Sequence, residues 1–192
     1  MANSKNIWAA TLASDGGSFY RAPLGTALPT DPLADLPAAY QDHGWMGDDG
    51  FKLSPKRNIK KHYAFGGSVV KVTQDNFEVS VRATIYEQNL TTFKTLVGDA
   101  NVTSSTVNGH TQYRVDWHED MLPRSVFVQR YVDGDRTALH IIEEGQIVAI
   151  DDISYVHTDL VKFSVEIACY APDSGNPAVY SLIDVPPTSS SS

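Results

Sequence analysis

Two stretches of this chain alternate apolar and polar side chains over ten residues each. Phe77, Val79, Val81, Ala83 and Ile85 alternate with Glu78, Ser80, Arg82, Thr84 and Tyr86. Val161, Phe163, Val165, Ile167 and Cys169 alternate with Lys162, Ser164, Glu166, Ala168 and Tyr170. Successive side chains of a strand point to opposite faces, so a run of period two buries one face of a sheet and wets the other. Wound into a helix, the same run would scatter its apolar residues around the cylinder. Both stretches therefore predict half-buried antiparallel strands. Tyr113, Val115 and Trp117 give a third alternation, and residues 124–132, 137–142 and 146–150 are further β-branched or aromatic segments. Turn signals separate them at Asn108-Gly109, Asp133-Gly134-Asp135 and Glu144-Gly145.

One segment reads as a helix. Asn89 caps it, Leu90, Phe93 and Val97 share a face, and Gly98 ends it, so the helix spans about 89–98. A second short helix is expected over residues 34–40, after Pro32. The fold class is all-β and mainly antiparallel, a sandwich or barrel with one α-helix packed on it. Residues 1–37 lack periodicity and carry Pro23, Pro29, Pro32 and Pro37, which predicts an extended N-terminal arm. Residues 38–185 form a single β-rich domain. Within it, residues 41–68 read as a long irregular loop with Gly44, Gly47, Gly50, Gly66 and Gly67, the aromatics Trp45, Phe51, Tyr63 and Phe65, and the basic group Lys56, Arg57, Lys60 and Lys61. A loop of that length is usually functional, and one so rich in aromatics orders against something, here a second subunit. Residues 186–192 are a Ser-rich tail, expected to be flexible.

The net charge of −8 argues against a protein that grips nucleic acid through phosphates. Residues 1–99 hold ten basic and ten acidic side chains, residues 100–192 five and thirteen, so the whole deficit lies in the second half. Such a surface repels DNA, and it suits a lining along which DNA slides without sticking. The basic group of the loop either touches nucleic acid or, the reading favoured on an acidic protein, meets the acidic half of a neighbouring subunit. No apolar run is long enough to span a membrane, and residues 1–11 show no signal-peptide pattern. The single cysteine, Cys169, rules out an internal disulfide and alternates with core residues as a small buried hydrophobe.

Catalytic and metal motifs are missing from the sequence: there is no P-loop, nucleophile elbow or His-Glu-x-x-His. The densest polar cluster, Asp116-Trp117-His118-Glu119-Asp120, lies along a strand end, where adjacent residues point opposite ways and cannot all converge. Asp133-Gly134-Asp135 lacks the rest of a calcium loop and reads as a hairpin turn. The six histidines show no ligand spacing. No enzyme activity, catalytic residue, metal or cofactor is expected.

Tyr20, Arg21, Ala22, Pro23, Leu24, Gly25, Thr26, Ala27, Leu28, Pro29, Thr30 and Asp31 resemble the opening of major tail proteins of long, flexible-tailed phages of actinobacteria. Further matches follow in the family's order: Gly44-Trp45, Asp49-Gly50, Phe65-Gly66-Gly67 running into Val69-Val70, and Ile85-Tyr86-Glu87-Gln88-Asn89 before the helix. They cover residues 18–98, about half the chain, and Phe65 stands where the family commonly has Trp. The resemblance implies a structural tail tube subunit. Six copies form a ring, and stacked rings make a hollow tube, lined by a continuous β-barrel with a typically acidic lumen, that conducts DNA from head to host. It implies an arm contact between subunits or rings at Tyr20, Arg21, Pro23, Leu24, Gly25, Thr26, Pro29 and Asp31. It implies a bridging loop with Trp45, Asp49, Phe65, Gly66 and Gly67, to which the charge reading adds Lys56, Arg57, Lys60 and Lys61, and an anchoring role for Glu87 at the turn into the helix. Glu78 and Glu166 are the candidates to face the lumen. The implied partners are other copies, tail terminator, tape measure and tail tip proteins, and DNA in transit without specific binding. No membrane is involved, and assembly takes place in the host cytoplasm before the protein resides in the virion tail.

Two other readings stand beside this one. A carbohydrate- or host-surface-binding β-sandwich module of a virion or bacterium would need an aromatic platform, whereas Trp8, Trp45 and Trp117 are scattered. A small hydrolase would have to use His118, Glu119 or Asp151.

Overall fold

The computed structural model describes residues 7–11 and 18–186. The elements run β1 (Phe19–Pro23), β2 (Gln41–Asp42), β3 (Met46–Tyr63), β4 (Val69–Ile85), α1 (Leu90–Val97), a 3-10 turn (Asp99–Asn101), β5 (Val102–Val107), β6 (His110–Val115), β7 (Ser125–Asp133), β8 (Arg136–Ile150), β9 (Phe163–Tyr170) and β10 (Tyr180–Asp184). All strand pairs are antiparallel. The main sheet runs β2-β1-β7-β8-β9-β4-β3, with β10 also paired to β8, and β5-β6 form a separate hairpin. Among the described residues the molecule is an all-β sandwich carrying one α-helix.

The sandwich arises because β8 belongs to both layers. Residues 137–141 of β8 lie between β7 and β10, while residues 144–150 pair with β9. The sheet turns over at this strand. Phe19 of β1 and Phe51 of β3, near opposite ends of the strand order, then bring their rings within 6.0 Å. Phe19, Val81, Ile85, Leu96, Phe127, Ile142, Phe163 and Ile167 fill the space between the layers. A second cluster, with Ala22, Val126, Val128, Leu139 and Ile141, covers the other face of β1, β7 and β8 beneath Leu28, Leu36 and Tyr40. Residues 125–129 of β7 are therefore buried on both faces, which explains the consecutive apolar residues Val126, Phe127 and Val128.

Gly145 sits at the turn-over. A Cβ there would stand 2.7 Å from Phe127 Cδ2 and 2.9 Å from Ile167 Cγ2. Ser125 flanks the glycine on one side and Cys169 on the other. The expected turn at Glu144-Gly145 is thus the middle of one long strand. Glycine is required there for close approach of the layers, not for chain reversal. The other two turn signals do close hairpins, with Asn108 at φ 52, Gly109 at φ 80 and Gly134 at φ 63.

Helix α1 matches its sequence signals. The Asn89 side chain accepts a hydrogen bond from Thr92 N–H, and the N–H of Gly98 donates to the Lys94 carbonyl. Residues 34–40 are turns and bends, not the second helix expected.

The extended arm expected over residues 1–37 is corrected for its described part. Residues 19–23 are β1, an inner strand paired with both β2 and β7, and Phe19 and Ala22 are core residues. Beyond it the chain folds back on its own body. Tyr40 Oη–H donates to the Ala27 carbonyl at 2.9 Å, and Arg130 Nη2 donates to the Pro32 carbonyl at 2.7 Å. Residues 1–6 and 12–17 of the expected arm, and residues 187–192 of the Ser-rich tail, lie outside the described residues.

Residues 41–68 are likewise no irregular loop. Most of them belong to β3, which pairs with β4 from Met46 opposite Ile85 to Tyr63 opposite Val69. The shifts of register between Met46 and Phe51, Asn58 and Ile59, and His62 and Tyr63 absorb the irregularities seen in the sequence. Pro55 fits because β3 is an edge strand, where a missing N–H costs no ladder bond.

Candidate assembly interface

Strand β4 pairs with β9 only over residues 79–85. The rest of β4, with β3 alone as partner, projects from the body as a two-stranded arm. Residues 69–78 at about 3.4 Å each give a reach of about 30 Å. Directly paired residues share a face, so the register assigns every side chain of the arm to one of two surfaces. Leu53, Pro55, Arg57 and Phe77 continue the core face of the sandwich into solvent, joined by Ile59, Lys61, Val72 and Tyr63. The opposite face carries Lys52, Lys56, Lys60 and His62. Leu53, Ile59, Tyr63, Val69, Val72 and Phe77 are all exposed.

The basic group thus divides between faces. Lys56 and Lys60 are on one, Arg57 and Lys61 on the other. The Arg57 guanidinium sits 4.7 Å from the centre of the Phe77 ring, covering part of the apolar face. At the tip, Ala64 N–H donates to the Ser68 carbonyl at 2.8 Å and Gly67 N–H to the Ala64 carbonyl at 3.0 Å. Gly66 and Gly67, at φ 102 and φ 91, permit this turn, and it holds Phe65 wholly in solvent.

The wet face of the body is the continuation of the arm's basic face. It carries Lys52, Ser54 and Lys56 on β3, Glu78, Ser80, Arg82 and Thr84 on β4, and Ser164, Glu166, Ala168 and Tyr170 on β9. Glu78 and Glu166 therefore share one exposed surface. Three cations stand there against two carboxylates, so the acidic excess of the chain lies in its loops instead. Each cation has an acid beside it. Arg82 pairs with Glu166 at 2.7 Å, Lys52 with Asp49 at 3.2 Å, and Lys56 stands opposite Glu78 in register. The hydrogen bond from Arg82 holds the Glu166 carboxyl below the usual carboxylate range.

Two edges of the body's four-stranded layer, β3-β4-β9-β8, have no partner strand among the described residues. One is the outer side of β3. The other is residues 146–150 of β8, beyond Gly145, where β7 has ended. Val148 bulges out of this second edge, and a cleft of about 450 Å³ runs beside it, lined by Leu96, Val97, Trp117, Met121, Leu122 and Ile147.

The residues expected to make an arm contact are divided. Arg21 is buried, its Nε donating to Ser125 Oγ at 3.0 Å and its guanidinium paired with Asp99. Burial alone would raise the Asp99 carboxyl, but the Arg21 pairing outweighs it and holds the group low. Tyr20 and Pro23 are in the sheet. Leu24 and Gly25 are exposed, Thr26 Oγ1 donates to the Pro23 carbonyl at 2.7 Å, Asp31 Oδ1 accepts from Leu33 N–H at 2.9 Å, and Pro29 is half-buried.

The matched pieces Gly44-Trp45 and Glu87 through Asn89 meet in space. Glu87 Oε1 accepts from Trp45 N–H at 2.9 Å, and Asn89 Nδ2 donates to the His43 carbonyl at 3.0 Å. A Cβ on Gly44, at φ 81, would fall 2.0 Å from the Glu87 carboxyl carbon. His43, which no sequence pattern singled out, is fully buried against Phe19 with its ring nitrogens 2.9 Å from the Phe19 carbonyl and 2.9 Å from Thr95 Oγ1. It ties β1 to α1.

None of Trp8, Trp45 and Trp117 stacks on another, and Trp8 packs edge-on against Tyr131. No group of three His, Cys, Asp or Glu placed to hold a metal ion occurs among the described residues, and none of their helices is long and apolar enough to cross a membrane.

No curated protein matches the chain. A model of the phage tail tube protein family matches residues 2–189, nearly its whole length. The family is one of structural tail components and not an enzyme class. The chain belongs to the phage tail tube protein family.

Proposed function

We propose that this subunit forms hexameric rings which stack into a hollow tube, and that the tube conducts DNA from head to host. The observation that carries the reading is the pair of free edges on the four-stranded layer. Four strands of alternating direction leave β3 and residues 146–150 of β8 running antiparallel to one another. Copies related by rotation about one axis keep the same polarity. The β3 edge of one then meets the β8 edge of the next as an antiparallel pair, and the sheet continues around the ring until it closes. Closure removes the edges that would otherwise recruit unrelated strands.

In this arrangement the wet face lines the lumen, with Glu78 and Glu166 on it. Its cations each stand beside a carboxylate, so passing phosphates find no row of unopposed positive charge. The projecting hairpin, with Phe65, Gly66 and Gly67 at its tip, reaches a neighbouring ring, while Trp45 and Asp49 lie at the opposite end of β3, beside Tyr86 and Lys52. The exposed Pro23, Leu24, Gly25 and Asp31 are the part of the expected arm still placed to touch another copy. Tail terminator, tape measure and tail tip proteins meet the ends and the lumen of the tube, which is assembled in the host cytoplasm.

Negative-stain electron microscopy of the concentrated protein tests this. Rings or tubes of uniform width and central hole are expected, and isolated globules at every concentration would refute the reading.

A further inference from the structure

The sandwich has two ends, and they carry opposite chemistry. The β4–β9 register runs from Val79 opposite Cys169 to Ile85 opposite Phe163. The hairpin leaves the body beyond the first of these rows. The connection from β8 to β9, residues 151–162, crosses beyond the second. Hairpin and connection therefore occupy opposite ends of the same strands.

At the hairpin end, residues 56–77 hold Lys56, Arg57, Lys60, Lys61 and Lys71 against the single acid Asp75, a net charge of +4 in a chain of −8. Phe65 is held outward by an ordered turn, with Tyr63 exposed beside it. An aromatic ring displayed in this way is buried only by another molecule. At the other end, Ile153 and Val161 pack against the main core and pin the connection at two points. Between them Tyr155, Val156 and Leu160 are 73 %, 51 % and 64 % exposed. Asp151, Asp152 and Asp159 are exposed with them; Lys162 lies 3.7 Å from Asp159, and Lys52 and Arg82 of the neighbouring strands line a shallow pocket with Asp151.

We propose that the β8–β9 connection is the seat for the hairpin tip of a second copy of this chain. Phe65 and Tyr63 bury against Tyr155, Val156 and Leu160, while Lys60 and Lys71 on one face of the hairpin and Lys61 on the other flank the contact beside Asp151, Asp152 and Asp159. The inference rests on the tube reading and adds the acceptor surface to it. Knob and seat are different surfaces at opposite ends of the molecule, so the contact is heterologous and repeats along the strand direction without closing. Each ring makes the contact once per subunit, so a contact too weak to hold two free copies holds two rings. Its charged part makes stacking sensitive to salt.

Charge exchange tests it. The pair Lys60→Glu and Lys61→Glu should cut the sedimentable tube fraction at least tenfold, and so should the pair Asp151→Lys and Asp152→Lys. All four substitutions in one chain should restore tubes, because knob and seat are then exchanged together. Unchanged tubes in the Asp151→Lys and Asp152→Lys chain would overturn the seat while leaving the tube reading intact. So would a four-fold variant that melts like the parent yet assembles no better than either pair. Absence of rings and tubes in the unsubstituted protein would overturn both. A second measurement does not depend on polymerisation. Phe65→Cys and Tyr155→Cys chains, mixed and oxidised, should give a mixed disulfide dimer at least tenfold above a Phe65→Cys and Trp117→Cys control. Equal yields would overturn the seat. The native Cys169 thiol, pushed up to about 12 by burial, does not compete in this reaction.

Discussion

Replacing Gly44 by alanine tests the junction between the first layer and the helix. Two separate costs arise. Gly44 is at φ 81, where an L side chain costs about 1–2 kcal/mol. The new Cβ would also stand 2.0 Å from the Glu87 carboxyl carbon and 2.2 Å from Oε1, so the carboxylate has to swing away. It can do so, being the end of a flexible side chain, but it then gives up the 2.9 Å hydrogen bond from Trp45 N–H. A hydrogen bond to a charged group contributes about 1.5–3 kcal/mol, and this one is solvent-accessible, which brings it to about 1–1.5 kcal/mol. Gly44→Ala should therefore cost about 2–3.5 kcal/mol, and Glu87→Ala about 1–1.5 kcal/mol. The double variant loses the hydrogen bond only once. It should match Gly44→Ala alone and fall short of the sum by about 1–1.5 kcal/mol. Urea unfolding of dilute protein reads this directly. With a slope of about 2–3 kcal/mol per molar, Gly44→Ala moves the midpoint down by about 1 M. Strict additivity of the two substitutions would refute the argument, since it would mean that Gly44 and Glu87 do not share the contact.

Two further outcomes follow from the interior. His43 is held at about 4 by burial, below its ordinary value of 6.5. The unfolded chain then binds a proton in a range where the folded chain does not. Stability is complete above about pH 6.5 and falls toward pH 4 by up to about 1.4 kcal/mol per pH unit, and His43→Gln should flatten that slope in urea titrations run at several pH values. Gly145→Val forces a branched side chain against Phe127 and Ile167, which a Cβ alone meets at 2.7 Å and 2.9 Å. Overpacking of about 1–3 kcal/mol should lower the melting temperature by about 2–12 °C, at about 2–4 °C per kcal/mol for a chain of this size, and an unchanged melt would remove Gly145 from the turn-over point.

The strands that were legible in the sequence are those with one face in the core and one in water. Alternation at Phe77 through Tyr86 and Val161 through Tyr170 is the direct imprint of that asymmetry, and the Asn89 and Gly98 signals bound the helix because capping is local chemistry. Strand β3 was misread as a loop because beyond Leu53 its only neighbour in its own chain is β4. Neither face is core, so no alternation is imposed, and cross-strand hydrogen bonds alone make it a strand. Strand β1 was misread as an arm for the opposite reason. Buried on both faces and ended by Pro23, it is too short and too crowded to show a period.

The sequence by itself determined the fold class, the helix with its caps and the family resemblance, since these rest on local periodicity, local capping and residue order. Tertiary structure alone decided the rest. It placed Gly145 at a turn-over where two layers touch, joined Gly44 to Glu87 across 43 positions, and divided four consecutive-looking cations between two faces of one strand. It also put a basic knob and an acidic, apolar seat at opposite ends of the same strands. Those relations depend on which strands pair and in what register, and pairing is settled by contacts between residues far apart in the chain.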